Sequence, residues 1–283
     1  MIAVKDLTYS YPSSSINALD GLNFKIEKGE IFGFLGPSGA GKSTCQKVLY
    51  KILDNYSGSV QVDGKNLKDW GKSYFEIIGV GFELPNHYPK LTARENLELF
   101  AAFYPKEKLL PIPEILTIVG LENVIDDRVE SFSKGMQMRL NYVRAIMHDP
   151  EILFFDEPTA GLDPMNARKI INHIKALREA GKTIFITTHN MTTADELCDR
   201  ISFIVDGQIV LTDQPQKLKI QYGDDRVRVE LKNGQSSEFP LSKLGVNNDF
   251  LKFIREHEVQ KIHTSEATLE KVFLQVTGKS LDV

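Results

Sequence analysis

Gly36-Pro37-Ser38-Gly39-Ala40-Gly41-Lys42-Ser43 is the stretch that decides the fold. It follows an apolar run, Ile31-Phe32-Gly33-Phe34-Leu35, with the character of a buried strand. It opens a segment that reads as a helix from Lys42 to about Leu53. In that setting the glycines let successive backbone N–H groups turn inward around an anion, and the helix N-terminus adds its partial positive charge. The pattern G-x-x-x-x-G-K-[ST] arises by chance at about 4 in 100,000 starts, or roughly 1% for a chain this long. The strand before it and the helix after it lower that chance further. Phosphate is therefore the expected ligand. Lys42 is placed to neutralise the β- and γ-phosphates of a nucleoside triphosphate, and the Ser43 hydroxyl, followed by Thr44, to ligate Mg²⁺.

A second apolar run, Ile152-Leu153-Phe154-Phe155, ends in two acids, Asp156-Glu157. Neighbouring strand residues point to opposite sides, so the two carboxylates are expected to take different tasks. Asp156 would help hold Mg²⁺, directly or through water, beside Ser43. Glu157 would polarise the attacking water as general base. An acidic pair at a strand end is by itself more often a solvated one; the phosphate-binding stretch tips the balance.

Between and beyond these runs the chain alternates. Leu84 to His148 is mostly helical in pattern, with Thr92-Ala93-Arg94-Glu95 as a capping box, Pro105, Pro111 and Pro113 as an irregular connection, and a helix from Met138 to Met147. Thr183–Thr187 reads as another strand, and Asp163-Pro164 to Gly181 as a helix with an N-cap, a proline at its first position and a glycine stop. Apolar strands alternating with helices imply an α/β fold with a parallel sheet covered by helices. From residue 213 the pattern changes to a small α+β appendage: Arg226–Leu231 alternates polar and apolar, Asn233-Gly234 marks a hairpin, and Leu269, Val272, Phe273 and Val276 share a helical face before Gly278.

Composition excludes several classes. With 42% hydrophobic and 25% charged residues the chain is neither disordered nor fibrous. Its 34 basic and 38 acidic residues give a net charge of −4, which leaves no electrostatic footprint for nucleic acid. Cys45 and Cys198, far apart, form neither a metal-ligand spacing nor a disulfide framework and fit a reducing cytosol. No apolar run approaches the ~20 residues that span a bilayer, and the N-terminus has no signal-peptide succession, so membrane work is expected to fall to another chain.

Residues 1–212 resemble the ATP-binding cassette ATPases. The resemblance rests on the phosphate-binding stretch, the acid pair extended as Pro158-Thr159-Ala160-Gly161-Leu162-Asp163, a signature stretch Phe132-Ser133-Lys134-Gly135-Met136 followed by Arg139, and a histidine closing Ile186-Thr187-Thr188-His189. It implies a P-loop NTPase (RecA-like) core with a mostly parallel sheet, an antiparallel β subdomain and an α-helical subdomain at about 84–148. It also implies ATP and Mg²⁺ as ligands, held by Gly36 to Thr44, with Tyr11 where the family stacks an aromatic ring on adenine. Two cassettes would pair head to tail, identical or different. Ser133 and Gly135 would then act on the partner's nucleotide, Asp163 would be a further nucleotide-binding residue besides capping the helix that opens at Pro164, and His189 would contact the γ-phosphate in its own subunit. A separate membrane permease is implied, on the cytoplasmic face of a bacterial membrane, with its contact around Leu84-Pro85-Asn86-His87-Tyr88-Pro89.

Two departures from the family pattern stand out. Glu83 lies where the family usually has glutamine; a carboxylate still ligates Mg²⁺ or water but adds negative charge near phosphates. The signature carries Lys134 and Met136 in place of glycine and glutamine, as drug-export relatives do, and the tail Ala267 to Gly278 resembles the same exporters, including daunorubicin-resistance-type ATPases. Export through a permease is the expectation. A soluble cassette ATPase acting on ribosomes or DNA is the alternative, and a single cradle without sustained heptads counts against it.

Overall fold

The computed structural model describes residues 1–12, 14–223, 226–264 and 267–279. They fall into two units, Met1–Asp213 and Gln214–Lys279.

The first unit is organised around β3 (Ile31–Leu35), whose five residues are all buried. A strand with no exposed face must be covered on both sides, and here it lies inside a six-stranded sheet. The order is β10 (Gln208–Asp213), β9 (Arg200–Val205), β3, β8 (Thr183–Thr188), β7 (Ile152–Asp156) and β6 (Ile78–Gly81). All neighbours run parallel except the β9–β10 hairpin. The second sheet is antiparallel, in the order β2 (Leu19–Ile26), β1 (Ile2–Tyr9), β4 (Ser57–Val62) and β5 (Lys65–Asn66). Aromatic packing joins the two sheets: Phe24 of β2 meets Phe34 of β3 edge-on at 4.9 Å, and Phe34 meets Phe185 of β8 at 4.9 Å. The strand that launches the phosphate-binding stretch is therefore clamped in one continuous core.

Helices complete the unit. α1 (Lys42–Leu49) is shorter than its sequence pattern, because Lys51 adopts φ 62° and turns the chain out of the helix before Leu53. A single turn, α2 (Tyr74–Ile77), leads into β6. The helical portion holds α3 (Ala93–Ala101), α4 (Ile112–Val119) and α5 (Lys134–Ile146). Thr92 caps α3, and both halves of the capping box are present. Pro111 and Pro113 belong to the start of α4 rather than to an irregular connection, since the first turn of a helix has no use for their missing N–H groups. α5 begins four residues before Met138, at a Ser133 cap that accepts a hydrogen bond from the Met136 N–H. α6 (Pro164–Glu179) starts at the Asp163 cap, and α7 (Met191–Leu197) follows β8. Among the described residues no helix is long and apolar enough to cross a membrane.

The second unit is a three-stranded antiparallel sheet in the order β12 (Ser236–Pro240), β11 (Arg226–Leu231), β13 (Val259–Thr264), with α8 (Pro215–Gln221), α9 (Asn248–Glu256) and α10 (Leu269–Thr277). Val227, Val229 and Leu231 alternate along β11 toward Phe250 of α9, which gives this unit its own small core. The β11–β12 turn carries Gly234 at φ 86°. The unit begins one residue later than the sequence pattern set it, because β10 runs through Asp213. Residues 224–225, 265–266 and 280–283 of the sequence-read appendage lie outside the described residues.

Candidate nucleotide-binding and hydrolysis site

The loop from β3 to α1 is shaped by close backbone approaches. A methyl group on Gly36 would stand 2.1 Å from the Ile204 carbonyl oxygen, and one on Gly41 would stand 2.5 Å from that of Ala18. Gly39 and Gly41 also take φ 79° and 104°, which suits residues without a Cβ. Ala40 donates its N–H to the Pro37 carbonyl at 3.2 Å and accepts from the Gly207 N–H at 3.0 Å, which ties the loop to the β9–β10 turn. The buried Lys42 Nζ donates to the Gly36 and Pro37 carbonyls at 2.8 and 2.9 Å. Burial holds the Lys42 ammonium below its usual pKa, while the carboxylates of Glu157, Asp156 and Glu83 pull the other way. Those two carbonyl contacts are ones an arriving phosphate oxygen can replace.

Ser38, Gly39, Gly41, Lys42, Ser43, Thr44, Glu83, Asp156, Glu157 and His189 line one cleft of about 360 Å³. The acid pair reaches it in an unexpected way. The strand alternation predicted opposite directions, but Glu157 leaves β7 with φ 50°, and both carboxylates face the cleft. A left-handed non-glycine residue costs about 1 kcal/mol or more, so its surroundings must hold it. They do. Its N–H donates to the Thr187 carbonyl at 2.9 Å, and its carboxylate accepts from the Thr188 hydroxyl at 2.9 Å and the His189 N–H at 2.8 Å. His189 Nδ1 stands 2.6 Å from Glu157 Oε1. An ionised carboxylate only accepts, so this pairing places a proton on Nδ1 and leaves Nε2 turned away from the pair. Asp156 accepts from the Thr187 hydroxyl and retains a second oxygen for a ligand.

Thr187 and Thr188 are therefore the two site residues the sequence reading did not single out. Asp156 and Thr187 are paired neighbours in the β7–β8 ladder, and the Thr-Thr-His ending of β8 was the available signal. Ser43, Asp156 and Glu83 supply hard oxygen donors to one cleft, which is the donor set Mg²⁺ takes.

Seven sequence-read residues stand outside the cleft lining: Gly36, Pro37 and Ala40, which belong to the loop from β3 to α1, and Tyr11, Ser133, Gly135 and Asp163, which lie on other segments. Tyr11 is half-buried, its hydroxyl 3.1 Å from Thr44 Oγ1 and its ring edge-on to Tyr9 at 5.1 Å. Ser133 caps α5 and is exposed. Gly135 has ordinary room around it: a methyl group there would meet nothing nearer than the Gly161 carbonyl oxygen at 3.6 Å. Asp163 caps α6, accepting from the Asn166 N–H at 3.0 Å, and this bond with that from the Asn166 side chain holds its carboxyl below the usual range.

The loop bearing Glu83 is held by α5. Asn141 Nδ2 donates to the Phe82 carbonyl at 2.7 Å and Arg144 Nη1 to the Asn86 carbonyl at 2.8 Å, while Arg144 Nη2 bonds Asn141 Oδ1 at 2.7 Å. A mostly apolar groove of about 200 Å³ lies beside this clamp, lined by Phe75, Phe82, Phe100, Tyr104, Arg144 and His148 among others.

Comparison with known proteins agrees with this geometry. The family described as "ABC transporter" matches residues 19–160, and the "Fluoroquinolone efflux ABC transporter C-terminal domain" matches residues 225–266. A fluoroquinolones export ATP-binding protein of Mycobacterium tuberculosis is 49% identical, with the match covering 99% of this chain and 94% of that protein. The bacitracin transport ATP-binding protein BcrA of Bacillus licheniformis is 33% identical over 98% of this chain and 97% of its own length. Among solved structures, the cassette MJ0796, a dimer in a post-hydrolysis state bound to ADP and Pi, is 30% identical with a TM-score of 0.67, covering 76% of this chain and 98% of that one. An ATP-binding subunit of an ABC transporter superposes with a TM-score of 0.70 at 28% identity, over 78% of this chain and 93% of that one. The chain belongs to the ABC transporter family, as an ATP-binding and ATP-hydrolysing subunit of an exporter.

Proposed function

We propose that this chain is the motor of a bacterial drug exporter, working as a pair of cassettes beneath a separate permease on the cytoplasmic face of the membrane. One observation carries the chemistry: Ser43, Glu83, Asp156, Glu157 and His189 converge with Lys42 on a single cleft. Lys42 turns from the loop carbonyls to the β- and γ-phosphates. Ser43, Asp156 and Glu83 are the residues that would hold Mg²⁺, which would supply positive charge against the negative charge developing on the phosphates. Glu157, fixed by Thr188 and His189, orients the attacking water and accepts its proton. Tyr11 offers its ring to adenine. Ser133, Gly135 and Asp163 face the partner's nucleotide, which accounts for their place outside this chain's own cleft.

Near-complete alignment with the fluoroquinolones export protein supports a cargo of that chemical class, carried by the permease. The ribosome- or DNA-acting alternative is not favoured, since the drug-export relatives match almost the whole chain. The stretch Leu84 to Pro89, with its exposed Leu84 and Tyr88, is the surface we assign to the permease.

The test is Mg²⁺-dependent ATP turnover of the purified chain beside Glu157→Gln. Loss of the positioned base should lower turnover by about 10²–10⁴-fold, and light scattering should find an ATP-dependent dimer in the mutant. Wild-type turnover in Glu157→Gln would remove the assigned mechanism. In membranes containing the permease, Tyr88→Ala should uncouple transport and keep ATP binding; lost ATP binding would overturn the surface assignment.

A further inference from the structure

Gln46 of α1 is fully buried, yet half of its amide has nothing to bond. Its Nε2 donates to the Phe155 carbonyl at 3.0 Å and reaches that of Phe185 at 3.5 Å. Both of those oxygens can only accept, so the NH₂ end must face them and Oε1 must point the other way. There it finds no hydrogen-bond partner among the described residues. A buried acceptor left unpaired costs the desolvation of that atom. The neighbouring inward side chains of α1, Cys45, Val48 and Leu49, are apolar and pack without any such cost. A methionine at this position would fill the same space.

What the amide adds is direction. Gln46 stands one turn beyond Lys42 and Ser43 on α1, and the Phe155 carbonyl belongs to the peptide unit that leads into Asp156. The bond therefore runs from the helix that carries Ser43 to the strand end that carries Asp156. Apolar contacts hold a helix against a sheet without fixing its register, because they are non-directional. A hydrogen bond weakens steeply once its angle is lost, so it does fix register. Register matters here, since Mg²⁺ tolerates little departure from octahedral geometry and a working site has to be held within about 0.5 Å. Thr187 aims the Asp156 carboxylate; Gln46 sets where the strand end stands relative to α1.

We propose that Gln46 is a positioning residue of the hydrolysis site: its amide locks α1 to the end of β7 and so sets the spacing between the Ser43 hydroxyl and the Asp156 carboxylate. It touches neither nucleotide nor metal and acts through the backbone that carries those two side chains. The unpaired Oε1 is the cost of that lock, since the same amide cannot turn its NH₂ to the strand carbonyls and also satisfy its oxygen. The proposal rests on the reading that Ser43 and Asp156 hold Mg²⁺.

The test is the affinity of the ATP-loaded Glu157→Gln chain for Mn²⁺ in place of Mg²⁺, titrated by electron paramagnetic resonance, so that turnover plays no part. Adding Gln46→Met, which keeps the length and removes both polar atoms, should weaken Mn²⁺ binding about tenfold. ATP binding in EDTA should stay within about twofold, because the phosphate cradle is untouched. The nucleotide-free thermal midpoint should stay within about 3 °C of the parent, the lost bond being offset by the removal of the unpaired oxygen. Val48→Ala, on the same helix, is the packing control: it should lower the midpoint and leave Mn²⁺ affinity within about twofold. Unchanged Mn²⁺ affinity in Gln46→Met, equal weakening by Val48→Ala, or a Gln46→Met chain that does not fold overturns the positioning role. Asp156→Asn separates this from the metal reading. If it leaves Mn²⁺ affinity unchanged, that reading falls; if it weakens Mn²⁺ binding while Gln46→Met does not, only the role of Gln46 falls.

Discussion

Two stretches of this chain have nearly the same vocabulary and opposite surroundings. Gly36 to Thr44 and Ser133 to Gly135 both combine serine, glycine and lysine at the N-terminus of a helix. The first is built into its own chain. Gly36 and Gly41 are pressed against the carbonyls of Ile204 and Ala18, and Lys42 is buried. The second is open. Ser133 and Lys134 are exposed, and Gly135 has space for a side chain. The fold therefore demands glycine in the first stretch and does not demand it in the second. The reason for Gly135 must lie outside a single chain, in whatever approaches the start of α5.

The largest effect that sharpens this contrast belongs to Gly36→Ala. Its methyl group would fall 2.1 Å from the Ile204 oxygen, an atom of the adjacent strand that cannot rotate away. Backbone must move, and we expect a loss of about 3 kcal/mol, or roughly 10 °C in the thermal midpoint, before any nucleotide is added. A midpoint unchanged from wild type would mean that the cradle is no more constrained than the signature stretch.

Thr188→Val comes next. It deletes the hydroxyl that donates to Glu157 Oε2 at 2.9 Å and accepts from the Asn190 N–H at 3.0 Å, while keeping the shape of the side chain. A hydrogen bond to a charged group contributes about 1.5–3 kcal/mol, so kcat should fall about tenfold or more with the KM for ATP little changed. A rise in KM at constant kcat would reassign Thr188 to ground-state binding.

These two positions also mark what the sequence made legible. Gly36 to Ser43 could be read because every residue of the cradle is local, and the ends of α6 could be read because Asp163, Pro164 and Gly181 each act on neighbouring backbone. Thr188 could not, because the oxygen it serves lies 31 residues earlier in the chain and meets it only once β7 and β8 pair. The left-handed turn at Glu157 was hidden for a related reason: a glutamate has no local preference for φ 50°, and tertiary hydrogen bonds hold it there. The same applies to Asn141 and Arg144, whose partners are carbonyls 59 and 58 residues away. Polar clamps between distant backbone segments leave no periodic trace.

The Glu83 loop, which joins the cleft to the helical portion, can be probed through pH. His87 donates from Nε2 to the Gln137 carbonyl at 3.0 Å, and burial, with the nearby Arg144 cation, pushes its pKa down to about 4 from the ordinary 6.5. Between those values the unfolded chain binds the proton more readily than the folded one. Stability therefore falls as pH drops through that window, by up to about 1.4 kcal/mol per pH unit from this group. His148 and His173 are shifted in the same direction, chiefly by burial. Thermal midpoints at pH 7 and pH 5 should fall less steeply in His87→Gln than in wild type. Equal slopes would show that the loop is open to water, more like the signature stretch than the cradle.

The smallest effect decides most about the comparison. Gly135→Ala places a methyl group where the nearest atom of this chain lies 3.6 Å away, an ordinary contact. Alanine is favoured over glycine in a helix by up to about 1 kcal/mol, so the nucleotide-free chain should melt about 2 °C higher or stay unchanged. If it melts lower, the glycine serves its own fold and the contrast with Gly36 collapses. If it melts as expected while the ATP-dependent dimer of Glu157→Gln weakens, the space over Gly135 belongs to the partner's phosphates. Stability and assembly would then move in opposite directions on one substitution, which is what a glycine kept for a ligand in trans requires and what a glycine kept for packing forbids.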